Sequence, residues 1–364
     1  MRYLIAPDKF KGTLSASEVC EILAGVVRAR DPGAQIDLVP IADGGEGTAE
    51  LVGSQLGAQR RSIATVDALG RPITAEYFIH QSEVFIDMSS ASGLWRISPQ
   101  ERRPLDSNTF GTGLIFRHLC DLGVNRISIG LGGSATVDAG LGMAAAVGYS
   151  FLDEEGQSVQ AVPARFGVIQ HVISPDISNL PEIIGLADVE TRLLGPEGAI
   201  HVFGPQKGLQ PDQVESLDRN LSRLVNRVEN SLNSNHSQTI RSGAAGGLGY
   251  GILTFFRGKL VSGFAEVAKR LRLPERISAT DVVITGEGKL DYQSLQGKGP
   301  VGVAEIASRA EKPAWVIAGT IEGEEQIRAH FEKSVSVVGE SITLEAALKD
   351  PAGTLRQRAA TFWD

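Results

Sequence analysis

The chain has 364 residues, 42% of them hydrophobic and 21% charged, with 35 Lys and Arg against 43 Asp and Glu, a formal net charge of −8. This length points to two soluble domains, and an acidic balance without a Lys/Arg cluster argues against a nucleic-acid surface. No apolar run reaches the roughly 18 residues of a membrane span, and MRYLIAP enters a strand with no signal-peptide core, so the expected location is the cytoplasm. Cys20 and Cys120 sit in apolar, helix-like patterns as reduced residues, and the six His show no metal spacing, which argues against zinc.

In chain order, strand-like YLIA runs into Pro7-Asp8-Lys9-Phe10-Lys11-Gly12. Residues 15–28 form an expected helix, with Ser15 and Glu18 as a capping box and an apolar face from Val19 to Val27. Ile36–Val39 is the next strand, and its extension runs into Asp43-Gly44-Gly45-Glu46-Gly47. Residues 62–78, broken at Gly70-Arg71-Pro72, predict an antiparallel hairpin, followed by strand Val84–Met88. A helix over 108–120 leads to strand Arg126–Ile129. Ala199–Phe203 is a further expected strand, 212–228 an amphipathic helix, and 229–242 an exposed polar loop. Strands Val282–Thr285, Ala314–Ala318 and Ser334–Val338 alternate with helices and repeat the N-terminal pattern. The fold expectation is therefore α/β, with a discontinuous domain of residues 1–85 plus 277–364 and an inserted domain of residues 86–276.

Glycine marks the chemistry. The chain has 42 glycines, about 12% against a usual ~7%, with clusters at 44–47, 130–142, 243–251 and 286–297. The segment DVVITGEGKLDYQSLQGK, residues 281–298, opens an apolar strand into glycine, acid and base. Open α/β sheets build ligand sites at such carboxyl ends. With the loops at Asp8 and Asp43, three strands end in acid-plus-glycine turns, which suits a phosphate and divalent-metal crevice. Gly130-Leu-Gly132-Gly133-Ser134-Ala135 fits G-x-G-x-x-A, with Asp153 at about the spacing of a ribose contact. That leaves a dinucleotide fold open beside an ATP-phosphate loop. No G-x-x-x-x-G-K-[ST] or G-x-S-x-G motif occurs. Lys207, in Gly204-Pro-Gln-Lys207-Gly208, follows the expected strand within reach of a phosphate or carboxylate. Ser89-Ser90-Ala-Ser92-Gly93 resembles a hydroxyl-rich binding turn.

Taken in order, these blocks resemble the type I glycerate kinase family over nearly the whole chain. They are APDKFKGTLSA, PIADGGEGT, MSSASGL, RRPLDSNTFGTG, GLGGSATVDAGLGM, FGPQKG, GAAGGLGYG and VITGEGKLDYQSLQGKGPVGVA. The resemblance implies ATP- and Mg²⁺-dependent phosphorylation of D-glycerate, typically at the 2-hydroxyl. It also implies one flavodoxin-like α/β domain from both chain ends and one inserted α/β domain, with the active site between them. The expected catalytic residues are Asp188 as proton acceptor, with Lys11 and Lys207 clamping carboxylate or phosphate. Asp8, Ser89, Ser92, Arg103 and Thr109 are the expected substrate contacts. Gly132, Gly133, Ser134, Gly286, Glu287, Gly288 and Lys298 would hold nucleotide, while Asp43, Glu287 and Asp291 would hold Mg²⁺. A homo-oligomer stays open, as do a kinase of another hydroxy-acid, an NAD-linked oxidoreductase and a non-catalytic binder. Two departures stand out. The family's Asn-Asp-Gly is Val137-Asp138-Ala139 here, and its Asp-Val-Asp-Asn-Pro-Leu is Asp188-Val189-Glu190-Thr191-Arg192-Leu193.

Overall fold

The computed structural model describes residues 1–291, 294 and 299–364. The chain divides into two compact units, one of Met1–Asp43 with Phe264–Asp364 and one of Gly44–Gly263. The first holds strands β1 (Arg2–Ile5) and β2 (Gln35–Leu38) from the N-terminal side. The second contributes the eight strands β3 to β10, and β11 (Val282–Leu290), β12 (Ala314–Ile321) and β13 (Lys333–Ser336) return to the first.

The first sheet is wholly parallel in the order β13-β12-β11-β1-β2. Numbered within the unit this is 2-1-3-4-5, the flavodoxin-like order, and its switch point lies between β1 and β11. The helix between β1 and β2 spans Ala16–Arg30. Its N-cap Ser15 accepts from the Glu18 N–H while Glu18 returns to the Ser15 N–H, the expected capping box. Val19, Leu23, Val26 and Val27 bury its apolar face against Tyr3, Ile5, Ile284 and Ile317.

The second unit is built on a mixed sheet of β3 (Gln59–Val66), β4 (Pro72–His80), β5 (Glu83–Asp87), β6 (Arg126–Gly130), β9 (Glu182–Leu186) and β10 (Lys259–Val261). β3, β4 and β5 run antiparallel as the Gly70-Arg71-Pro72 break predicts, and β5, β6, β9 and β10 are parallel. β7 (Ser150–Leu152) and β8 (His171–Ile173) form a small antiparallel pair. The sheets therefore divide the chain at 43/44 and 263/264 rather than near 85 and 277. β5 pairs with β6 across 43 positions of sequence, Glu83 opposite Arg126, and that pairing carries the whole β3–β5 meander into the inserted unit.

Two further expectations are corrected. Ala199–Phe203 is a helix, with the Val202 N–H bonded to the Gly198 carbonyl and Ala199 and Ile200 packed in the core. A five-residue, mostly apolar run with a β-branched pair cannot be told from a strand by periodicity alone. The 229–242 segment is not simply an exposed loop. The long helix runs Pro211–Leu232, and the Glu229 carboxylate accepts the N–H groups of His236 and Ser237, leaving Ser237 and Ser242 buried. Among the described residues no helix is long and apolar enough to cross a membrane.

Candidate active site

At the carboxyl ends of β1 and β11 the first unit gathers four acids. The Asp8 N–H donates to the Gly286 carbonyl at 2.8 Å, which lays the Asp8 loop along β11. Asp8 is buried and its carboxylate accepts the Lys9 N–H. The Ile41 N–H donates to the Pro7 carbonyl, bringing the segment that ends in half-buried Asp43 to the same edge. Glu287 Oε1 accepts from Ser294 Oγ at 2.9 Å. Burial pushes the Glu287 carboxyl up to about 8; the Ser294 hydroxyl pulls it down, while Asp8, Asp43 and Asp291 add repulsion. An oxygen-rich acid cluster of this kind fits a hard divalent cation. It is not a preformed cage, since among the described residues no three candidate ligands converge on one point.

Other residues of this edge have different roles from those expected. β11 does not open after Thr285 but runs to Leu290, with Gly286 opposite Ile317 and Glu287 opposite Ala318. A Cβ on Gly286 would lie 2.2 Å from the Ile317 carbonyl oxygen, so this glycine serves strand packing. A Cβ on Gly288 would meet the Lys11 nitrogen at 3.1 Å, where the loop after β1 crosses the strand. Lys11 is exposed, with no side-chain partner among the described residues. Lys289 is turned away to Glu322 and Asp291, at 3.0 and 3.4 Å. Lys298 lies outside the described residues.

In the second unit the 130–135 loop is packed rather than open. The Leu131, Gly132 and Ala135 N–H groups donate to the carbonyls of Leu186, Gly44 and Ser92. The Gly132 N–H is therefore spent, whereas Gly133 is exposed in the left-handed region at φ +74°. The next helix starts only at Leu141, so the loop does not open a helix as a dinucleotide fingerprint would. Asp153 Oδ1 caps its own turn through the Glu155 and Gln157 N–H groups and has no place in such a site.

Lys207, 2% exposed, donates from Nζ to Ser134 Oγ and the Thr136 carbonyl, both at 2.7 Å. Burial pushes its pKa down to about 7, against the pull of the Asp138 carboxylate. Its bonds hold the 134–136 loop, so Lys207 supports the loop rather than reaching into solvent. Thr109 is likewise internal. Its hydroxyl donates to Asp138 Oδ2 at 2.7 Å and accepts from the Met143 N–H at 2.9 Å, with the residue fully buried. Asp138 also accepts the Thr109, Gly140 and Gly142 N–H groups; burial raises its pKa against these donors. Ser92 Oγ pairs with Thr112 Oγ1 at 2.8 Å in the core. Ser92 and Thr109, both expected as substrate contacts, are thus engaged in internal hydrogen bonds. Ser89 is buried, and Arg103 is exposed. Val137 is a core residue, so no ligand-facing amide is missing there.

Asp188 follows β9 at its carboxyl end and is 8% exposed. Its Oδ1 accepts the Gly263 N–H at 2.9 Å, which fixes the carboxylate. The residue before it is contacted by a cation that sequence reading did not single out. Arg241 Nε donates to the Ala187 carbonyl at 2.9 Å. Arg192, the charge that departs from the family pattern, is exposed and donates to the Gln238 carbonyl.

The sequence model of the glycerate kinase family matches residues 3–363. A glycerate 2-kinase of Escherichia coli is 38% identical over 330 residues, covering 88% of this chain and 86% of that protein. A glycerate kinase of Bacillus subtilis is 36% identical over 370 residues, covering 99% and 96%. The crystal structure of a protein assigned as glycerate kinase 2 from Salmonella typhimurium LT2 superposes with a TM-score of 0.85 at 36% identity. That match covers 100% of this chain and 97% of the other.

Proposed function

The chain belongs to the glycerate kinase family and is a kinase, and from that premise we propose that it transfers the γ-phosphoryl group of ATP to the 2-hydroxyl of D-glycerate. The observation that carries this reading is Asp188. It is a nearly buried carboxylate at a strand's carboxyl end, oriented by the Gly263 N–H, and the carbonyl of the residue before it holds Arg241 Nε. Phosphoryl transfer asks the protein for in-line positioning, charge neutralisation and an acceptor for the hydroxyl proton. Asp188 takes that proton as the substrate oxygen forms its bond to γ-phosphorus and the bond to the departing ADP oxygen breaks. The products are 2-phosphoglycerate and ADP.

In the first unit, Asp43, Glu287 and Asp291 would hold Mg²⁺, with Asp8 adding to the negative field. Bound there, Mg²⁺ supplies positive charge against the nucleotide phosphates. Exposed Lys11 contacts a phosphate or the substrate carboxylate. Gly133 offers its backbone to phosphate, while Ser134 is held by Lys207 and supports that loop. Gly288 keeps the Lys11 backbone close to β11. Ser89 and Arg103 remain candidate substrate contacts.

The test follows ATP consumption with D-glycerate and Mg²⁺ and passes the product to enolase, with and without phosphoglycerate mutase. Signal without mutase is expected. Signal only with mutase would mean 3-phosphorylation, and no ATP consumption would mean that glycerate is not the substrate.

A further inference from the structure

We propose that Arg241 binds the substrate carboxylate and makes the enzyme selective for a 2-hydroxy acid; this rests on the reading of Asp188 as the proton acceptor. The first observation is backbone strain. Arg241 has φ +72°, in the left-handed region where a side chain is costly and glycine is not. Its surroundings hold it there. Ser242 Oγ accepts the Leu193 N–H at 2.9 Å and donates to the Ser237 carbonyl at 3.0 Å. The Ser242 carbonyl accepts from Tyr250, the Gly243 N–H donates to Thr191, and the Arg241 carbonyl accepts from Ala244. A Cβ on Gly249 would lie 2.3 Å from the Arg241 carbonyl oxygen, so the helix Ala244–Phe255 that follows leaves no room to relax. Strain of this kind persists where the surrounding structure fixes it, and it clusters at functional sites.

The second observation is where the side chain goes. Nε is anchored to the Ala187 carbonyl, one residue before Asp188. Arg241 is half-buried and forms no ion pair with any described carboxylate, Asp188 included. Its Nη1 and Nη2 groups are thus left with a fork geometry that matches a carboxylate. One strand end therefore presents an oriented carboxylate and an unpaired guanidinium, each tied separately to the backbone. A 2-hydroxy acid carries the complementary pair, a hydroxyl one carbon from a carboxylate. With the carboxylate on Arg241, the 2-hydroxyl rather than the 3-hydroxyl is the nearer one to Asp188.

The test compares wild type with Arg241→Gly, which puts the residue best suited to φ +72° at this position. The variant is expected to melt no lower than wild type. Its KM for D-glycerate should rise about 10- to 100-fold, the loss of one charged bidentate contact, with KM for ATP unchanged. Guanidinium chloride at millimolar concentration should restore part of the loss, and the share of 3-phosphoglycerate should increase. A D-glycerate KM within twofold of wild type, in this variant or in Arg241→Gln should the first not fold, would overturn the proposal. If the wild type does not use D-glycerate, calorimetric binding of lactate, malate and tartrate separates the two readings. Binding of one of them that is lost in Arg241→Gly keeps Arg241 as the carboxylate site, and equal binding by both proteins removes it.

Discussion

Lys207 and Thr136 are joined by a hydrogen bond of 2.7 Å from Nζ to the main-chain carbonyl, deep enough that the lysine is 2% exposed. The bond ties the PQK turn to the 134–136 loop, and burial holds the lysine's pKa at about 7. Between that value and the lysine's ordinary 10.5 the unfolded chain binds more protons than the folded one. Stability must therefore rise with pH across this window, and the full burial cost applies below it. Relative to Lys207→Met, the wild type should gain stability from pH 7 to 10, by at most about 1.4 kcal/mol per pH unit. Denaturant midpoints of both proteins at four pH values check this. A difference that stays flat would mean that the lysine keeps its ordinary pKa.

Glu287 gives the opposite sign. Its folded pKa of about 8 stands above the ordinary 4.5, so the folded chain binds more protons between those values and loses stability as pH rises through them. If this carboxylate receives Mg²⁺, binding must expel its proton. Calorimetry in buffers of different ionisation enthalpy should find close to one proton released at pH 6 to 7, declining above pH 8, and none in Glu287→Gln. Proton release that is unchanged in the variant would place the ion elsewhere.

Much of this was legible in the sequence because it depends on local chemistry. The Ser15–Glu18 capping box, the hairpin break at Gly70-Arg71-Pro72 and the acids after β1 and β11 all announce themselves by residue type and spacing. What escaped depends on partners distant in sequence. Thr109 reads as a free hydroxyl until Asp138 is brought against it, and Ser92 until Thr112 is. Gly286 reads as a loop glycine until the Ile317 carbonyl is seen beside it. The β3–β5 meander joins the second sheet through β6, a pairing without local signature. Arg241 left no trace, because a left-handed arginine looks like any other arginine in TIRSG.

Asp188→Asn separates chemistry from folding. The amide oxygen can still accept the Gly263 N–H, so the melting temperature should stay within a degree or two of wild type. Proton acceptance is lost, and kcat should fall by about 10²- to 10⁴-fold, with KM for D-glycerate changing far less. Turnover within threefold of wild type would remove Asp188 as the base.

The Thr136 carbonyl that receives Lys207 is also approached by Gly246, and the two contacts together fix the loop. Gly246 has φ +67°, and a Cβ there would lie 1.9 Å from Thr136 O. Gly57 has the same φ, at the end of the helix Thr48–Leu56, with nothing within 4 Å of its would-be Cβ. The pair isolates the clash from the backbone strain. Gly57→Ala should cost about 1 to 2 kcal/mol, the price of a left-handed alanine. Gly246→Ala carries that strain plus displacement of a backbone carbonyl, which typically adds about 1 to 3 kcal/mol when a packed core is overfilled. Since the displaced carbonyl accepts from the Lys207 ammonium and so favours its charged form, its loss should depress the lysine's pKa further and make the rise in stability between pH 7 and 10 steeper in the Gly246 variant, whereas Gly57→Ala should leave it as in wild type. Equal costs and identical pH profiles in the two variants would mean that the Thr136 carbonyl moves freely and that Lys207 does not depend on it.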